Sequence, residues 1–236
     1  FRVDVFRPVD LMEEAARLSG YQNIPTTFPL IPSQAKEPAK ALEVRERVRK
    51  LLTGFSFSEA VNYSFISKAS CDQLRLGPED PKRRMLDILN PLTEDQAVMR
   101  TSLIPGLLET MHRNVSRQVK DMRLFEVGKI FLSNGQDQQP DEIEMLAGIW
   151  TGTRFHASWH SKAATCDFYD IKGVAEGLLT GLDMSDIRFT RMPADVCCYT
   201  KPGHTARIFS GENDLGLIGE VHPETLRNFD VKQKSA

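Results

Sequence analysis

Between Pro25 and Lys40 the chain carries prolines at 25, 29, 32 and 38. Each fixes its own φ and lacks an amide donor, so this stretch can be neither a continuous helix nor a central strand. It reads as a linker or strapped loop. The chain is thereby divided into a short leading unit, residues 1–40, and a main domain, residues 41–236. The main domain must then supply almost all of the hydrophobic core.

Within the leading unit, residues 1–6 alternate like a strand, and Leu11 to Ser19 reads as a helix ended by Gly20, where left-handed geometry is common. Beyond the prolines, Ala41 to Leu52 has helical apolar spacing and Gly54 stops it. Strands are expected at Glu59–Ile66 and Met85–Leu89. A second long helix follows at Leu103–Gln118, with Pro105 tolerable in its first turn. Arg123–Leu132 and Met145–Thr151 read as paired strands around a polar loop, Ser133–Glu142. Phe168–Leu179 forms a third helix closed by Gly181. Thr205–Ser210 and Leu215–Val221 flank a hairpin signal at Gly211–Asp214. Consecutive strands without regular βαβ alternation give an α+β domain on an antiparallel sheet.

Composition excludes some function classes. Thirty basic against 32 acidic residues leave a net charge of −2, so no global basic field advertises nucleic acid. No apolar run is long enough to span a membrane. Cys71, Cys166, Cys197 and Cys198 include no CxxC pair, and read as reduced, mostly buried thiols of a cytosolic protein. His156 and His160 have zinc-pair spacing but lack the glutamate of HExxH. His204 and His222 read as hydrogen-bonded turn residues. No GxSxG, P-loop or GxGxxG is present, which leaves hydrolase, nucleotide-kinase and dinucleotide readings without support.

The densest chemical constellation is Asp4, Asp10, Glu13 and Glu14. On a helix starting at Leu11 the last three share one face, and Asp4 can converge on them from the preceding strand. Such carboxylates suit a hard cation such as magnesium. Asp10 three residues before Glu13 equally makes a capping box, and Glu13 with Arg17 a surface pair. Residue spacing leaves both readings open.

The order of segments adds a further argument. Arg2-Val-Asp4, Asp10-Leu-Met-Glu13-Glu14-Ala-Ala-Arg17 and Gly20-Tyr21-Gln-Asn23-Ile24-Pro25 are followed by Gly54-Phe55, Asn62-Tyr63-Ser64-Phe65 and Asn90-Pro91-Leu92. Then come Met99-Arg100-Thr101-Ser102-Leu103-Ile104-Pro105-Gly106-Leu107-Leu108 and Arg123-Leu-Phe125-Glu126-Val-Gly128. Asp167-Phe168-Tyr169-Asp170-Ile-Lys172-Gly173 and Gly216-Leu-Ile-Gly219-Glu220-Val-His222-Pro223-Glu224 complete the series. The ordered set, from Arg2 to about Arg227, resembles the bacterial-type phenylalanyl-tRNA synthetase β subunit family.

That resemblance implies the end of a winged-helix-like domain, then a class II aminoacyl-tRNA synthetase-like core that has lost catalysis. It implies no catalytic residue here and a structural role beside a catalytic α subunit in an α2β2 ligase that uses ATP and tRNA-Phe in the cytoplasm, with no membrane or DNA partner. It assigns Asp4, Asp10, Glu13 and Glu14 to a magnesium shared with the α subunit. Arg123 and Glu126 resemble one class II motif in outline, whereas Glu220 stands where a phosphate-clamping arginine is expected. Leu103–Gln118 and Asn90-Pro91-Leu92, with Arg100 and Leu107 among the residues involved, are expected to pack against the α subunit or to fill the domain's own core. The start on Phe1 and the unmatched tail from Val231 suggest a piece of a longer protein, without the editing and anticodon-binding domains. A free-standing ATP-dependent ligase and a nucleic-acid-binding module are the alternatives.

Overall fold

A computed structural model describes residues 3–28, 39–135, 138–155, 158–160, 162–193 and 196–232. Pro29, Pro32, Pro38, Arg2, His156 and the last four residues lie outside that description. The chain divides into two compact units, Phe1–Pro38 and Ala39–Ala236.

The first unit is built on helix α1, Pro8–Ser19, and buries none of that helix's residues. It starts three residues before the expected Leu11, because the fixed φ of Pro8 suits a first helical position. Asp10 therefore sits inside the first turn, where its Oδ2 accepts the Phe6 and Arg7 amides at 2.9 and 2.8 Å. Arg17 pairs with Glu14 at 2.7 Å, not with Glu13 as its spacing suggested. Gly20 ends the helix with φ +93°, a conformation that favours glycine.

The second unit is α+β. Its helices are α2 (Lys40–Gly54), α3 (Ser70–Gln73), α4 (Ile104–Ser116), α5 (Phe168–Gly181) and α6 (Pro223–Asn228). Its strands are β1 (Ser58–Glu59), β2 (Phe65–Ile66), β3 (Val98–Met99), β4 (Met122–Leu132), β5 (Asp141–Thr151), β6 (Thr153–Phe155), β7 (Ala164–Thr165), β8 (Ile187–Arg191), β9 (Thr200–Ser210) and β10 (Asn213–Val221). The two larger sheets run β1-β4-β5 and β10-β9-β8. All pairings are antiparallel except β1 with β4. That exception is possible because no hairpin joins these two strands, so a crossover can align them in parallel.

Several expected boundaries move. Gly54 and Gly181 are the last residues of their helices, and Ser56 and Asp183 take the left-handed backbone just beyond. The strand expected at Glu59–Ile66 is ladder-bonded only at its two ends. Met85–Leu89 makes one bridge, Asp87 to Val98. The β9–β10 turn is Gly211–Glu212, with Gly211 at φ 57°. All four cysteines are free thiols, three of them buried.

Period-two alternation along β4 and β5 builds two cores. Met122, Leu124, Ala147 and Ile149 face a cluster with Leu107, Leu108 and Met111 of α4 and with Leu226 and Phe229. Phe125, Val127 and Trp150 face the other way, toward Val48 and Leu52 of α2 and Leu178 of α5. Leu107, Leu108 and Met111 are fully buried in the domain's own core. The apolar face of α4 is thus spent internally, and Leu107→Ala should cost about 2–5 kcal/mol in denaturant unfolding.

His222 caps α6, its Nδ1 accepting the Glu224 amide at 3.1 Å. Burial, then the nearby Arg75 guanidinium, hold this imidazole below its ordinary value. The fold thus favours the neutral ring, the form that can accept. The cap's stabilisation is present above the unfolded-state value of about 6.5 and is lost as pH falls through the lower folded value. In thermal melts between about pH 5 and 7, His222→Asn should flatten this part of the pH dependence, since asparagine keeps an acceptor without titrating.

Candidate functional site

Three of the segments singled out in the sequence meet on the α4 side of the main sheet. β3 delivers Arg100, β4 delivers Glu126 and Gly128, and the extended run between β1 and β2 delivers Asn62. Arg100 and Glu126 are 5% and 3% exposed, and Arg100 Nη1 donates to Glu126 Oε1 at 2.6 Å. Arg100 Nε donates to the Lys129 carbonyl at 2.8 Å. Asn62 Nδ2 donates to Glu126 Oε2 at 2.7 Å, and the Asn62 amide to Oε1 at 3.4 Å. Thr110 of α4 donates its hydroxyl to Asn62 Oδ1 at 2.7 Å.

Two glycines make room for this network. A Cβ on Gly128 would lie 2.3 Å from Arg100 Nη2, and one on Gly106 would lie 3.0 Å from the Asn62 Cβ. The Arg100 guanidinium cannot swing aside without breaking its pair. A buried ion pair is costly to desolvate, so its tolerance here rests on the hydrogen bonds that satisfy both partners. The arrangement leaves neither charge available to a phosphate.

Arg123 is likewise committed. Its guanidinium lies 3.9 Å from the centre of the Trp150 ring and donates to the carbonyls of Phe55 and Arg154 at 3.2 and 2.9 Å. It lines an open groove of about 760 Å³ with Trp150, Arg154 and Phe155. Arg154 is paired in turn with Asp167 and Asp170, at 3.0 and 2.6 Å. Glu220, 3% exposed on β10, faces Lys201 Nζ at 3.2 Å and His204 Nδ1 at 3.3 Å.

The four acidic residues near α1 are arranged differently from this closed network. Asp10 caps the first turn, Glu14 pairs with Arg17, and Glu13 is exposed. Among the described residues no three His, Cys, Asp or Glu side chains group closely enough to hold a metal. His160 contacts Ser158, and His156, four residues before it, lies outside the described residues.

Sequence reasoning found Asn62, Arg100 and Glu126 as motif members but not as a network. Its local signal was Gly106 and Gly128, small residues beside large polar ones.

Breaking one partner strands the other. Glu126→Ala or Arg100→Ala should each cost about 3–5 kcal/mol in denaturant unfolding, and the paired Arg100→Met/Glu126→Leu much less than the sum. Gly128→Ala should behave like a single break.

Comparison with known proteins places this geometry. A family model described as the phenylalanyl tRNA synthetase beta chain CLM domain matches residues 24–236. The phenylalanine–tRNA ligase beta subunit of Geobacter sulfurreducens is 40% identical over 99% of this chain, and that of Syntrophus aciditrophicus is 40% identical over 100%. The chain spans 29% of the length of each of these relatives. Among solved structures, pyrrolysyl-tRNA synthetase from Desulfitobacterium hafniense matches with a TM-score of 0.63 at 17% identity, over 96% of this chain and 72% of that one. At that identity the likeness is one of fold, a tRNA synthetase-like α+β core.

Proposed function

Because the chain belongs to the phenylalanyl-tRNA synthetase β chain family, we propose that it is the synthetase-like core of a phenylalanine–tRNA ligase β subunit, which supports a catalytic α subunit instead of performing the chemistry. The observation that carries this reading is the closed Arg100–Glu126–Asn62 network on the sheet face, with Arg123 committed beside Trp150. Charge stabilisation of a transferring phosphate needs preorganised cationic donors aimed at it. Here the arginines are aimed at the protein itself.

The partner reading draws on surface as well. Leu89 and Leu92, flanking the Asn90-Pro91 segment, are 98% and 91% exposed. Exposed apolar side chains gathered in one segment are a usual mark of an interaction site. The reading extends to an α2β2 assembly, to ATP and tRNA-Phe as substrates of the whole ligase, and to a cytoplasmic setting. It also takes residues 1–40 as winged-helix-like in origin.

Magnesium enters as a shared ion. Asp4, Asp10, Glu13 and Glu14 would offer carboxylates, and ligands of the α subunit would complete the site. When bound, the ion supplies positive charge that relieves repulsion among these carboxylates.

Mixing this chain with the cognate α subunit tests the reading. Sedimentation should show a magnesium-sensitive complex, weakened when Glu13→Ala removes a carboxylate without disturbing the Asp10 cap. Absence of any complex, with or without magnesium, would sink the assembly role.

A further inference from the structure

The chain has seven asparagines, and the residues that follow them are Ile24, Tyr63, Pro91, Val115, Gly135, Asp214 and Phe229. Only Asn134 precedes a glycine. The carbonyl carbon of an asparagine side chain stands one five-membered ring away from the next residue's backbone nitrogen. Attack on it is therefore intramolecular, and a side chain on the following residue is what crowds the approach. Gly135 has none, and a Cβ built there would meet nothing within 4 Å.

Local structure also sets this asparagine apart. β4 ends at Leu132 and β5 begins at Asp141, so Asn134 and Gly135 lie beyond the ladder, and both are exposed to water. Among the described residues the Gly135 amide, the nucleophile, donates only to Ser133 Oγ at 3.3 Å, longer than the usual N–H···O bond. Elsewhere the corresponding nitrogen is engaged or lacks a proton. Phe229 donates to the Thr225 carbonyl at 3.2 Å, and Pro91 has no amide hydrogen. The Asn134 side chain is itself pinned, its Nδ2 donating to Asp141 Oδ1 at 2.9 Å and to the Gln139 carbonyl at 3.2 Å. These two bonds tie the loop to the start of β5. They require an amide, and a carboxylate supplies neither.

We propose that Asn134-Gly135 is a self-modifying site, at which spontaneous deamidation turns a bond that closes the β4–β5 hairpin into a repulsion. The Gly135 nitrogen gives up its proton and bonds to Asn134 Cγ. The Cγ–Nδ2 bond breaks, and ammonia leaves with that proton. Water then opens the succinimide. Cleavage of the new Cγ–N bond yields aspartate, and cleavage at the residue's backbone carbonyl yields isoaspartate, with the chain routed through Cγ. One water is consumed and one ammonia released, so the step needs no oxidant or cofactor. The new carboxylate stands beside Asp141, and Lys129 of the same hairpin is already paired with Glu142 at 2.6 Å. Like charges this close are destabilising, so the last pair of the ladder, Leu132 with Asp141, opens. The proposal is independent of the assembly reading above.

The full-length polypeptide, aged in neutral buffer and mapped by peptide mass spectrometry, tests it. Asn134 should exchange NH for O at least about tenfold faster than any other asparagine, a barrier difference of about 1.4 kcal/mol. The aged protein should also accept methyl groups from S-adenosylmethionine through an isoaspartyl methyltransferase, because ring opening gives isoaspartate and direct hydrolysis does not. Asn134→Gln and Gly135→Ala should each suppress both signals by about tenfold or more. The first variant leaves the Gly135 backbone untouched and so separates the chemistry from the fold of the loop. Asn134→Asp, which installs the charge without ageing, should speed amide exchange at the 132/141 end of the ladder by about tenfold and leave the β1–β4 end unchanged. Adding Asp141→Asn should restore the protection. Deamidation at Asn134 no faster than elsewhere overturns the site. Aspartate formed without isoaspartate overturns the ring-closing route, and unchanged exchange in Asn134→Asp overturns the repulsion.

Discussion

The Arg100–Glu126 ion pair is the interaction around which the main domain is arranged. It joins β3, β4 and the run between β1 and β2, and through Asn62 and Thr110 it reaches α4. The Arg100 backbone adds to this, accepting from the Phe131 amide and donating to the Ser64 carbonyl, both at 2.9 Å. Two charges taken out of water would be a liability if any of these bonds were missing. The glycines at 106 and 128 and the amide side chain at 62 are therefore consequences of the pair.

Around this centre the sheet does two jobs. One face of β4 and β5 packs on α4, α6 and the last described residues, and the other on α2 and α5. Both faces are packed at the end where residues 122–127 meet residues 147–151, whereas the 141–146 half of β5 is exposed. The main groove lies at its end, where Arg123 and Arg154 are each already paired. In this synthetase-like fold Arg100, Arg123 and Arg154 are all committed to partners within the protein. Its surface carries the exposed Leu89 and Leu92.

Much of this fold was legible in the sequence because its signals are periodic and local. α4 shows its apolar spacing, β4 and β5 their alternation, and Gly211 the hairpin turn. The less visible parts depend on partners distant in sequence. β8, three of whose five side chains are polar, becomes a strand only through pairing with β9. The run from Glu59 to Ile66 has the alternation of a strand, yet in its middle Asn62 bonds to a glutamate side chain instead of a ladder. Proline at the first helical position shifted α1 forward, which set Asp10 inside the first turn instead of just before it. At the candidate site the motif residues could be named from sequence, but their mutual neutralisation could not. That requires knowing that positions 62, 100 and 126 meet.

Phenylalanine-dependent ATP–pyrophosphate exchange tests the central claim, a closed and non-catalytic core, most directly. Assayed on this chain alone, on the cognate α subunit alone and on the two together, exchange should be absent from this chain and present in the assembly. Saturable, phenylalanine-dependent exchange by this chain alone would contradict the account, because it would require phosphate-binding cations where the structure has bound them to the protein itself.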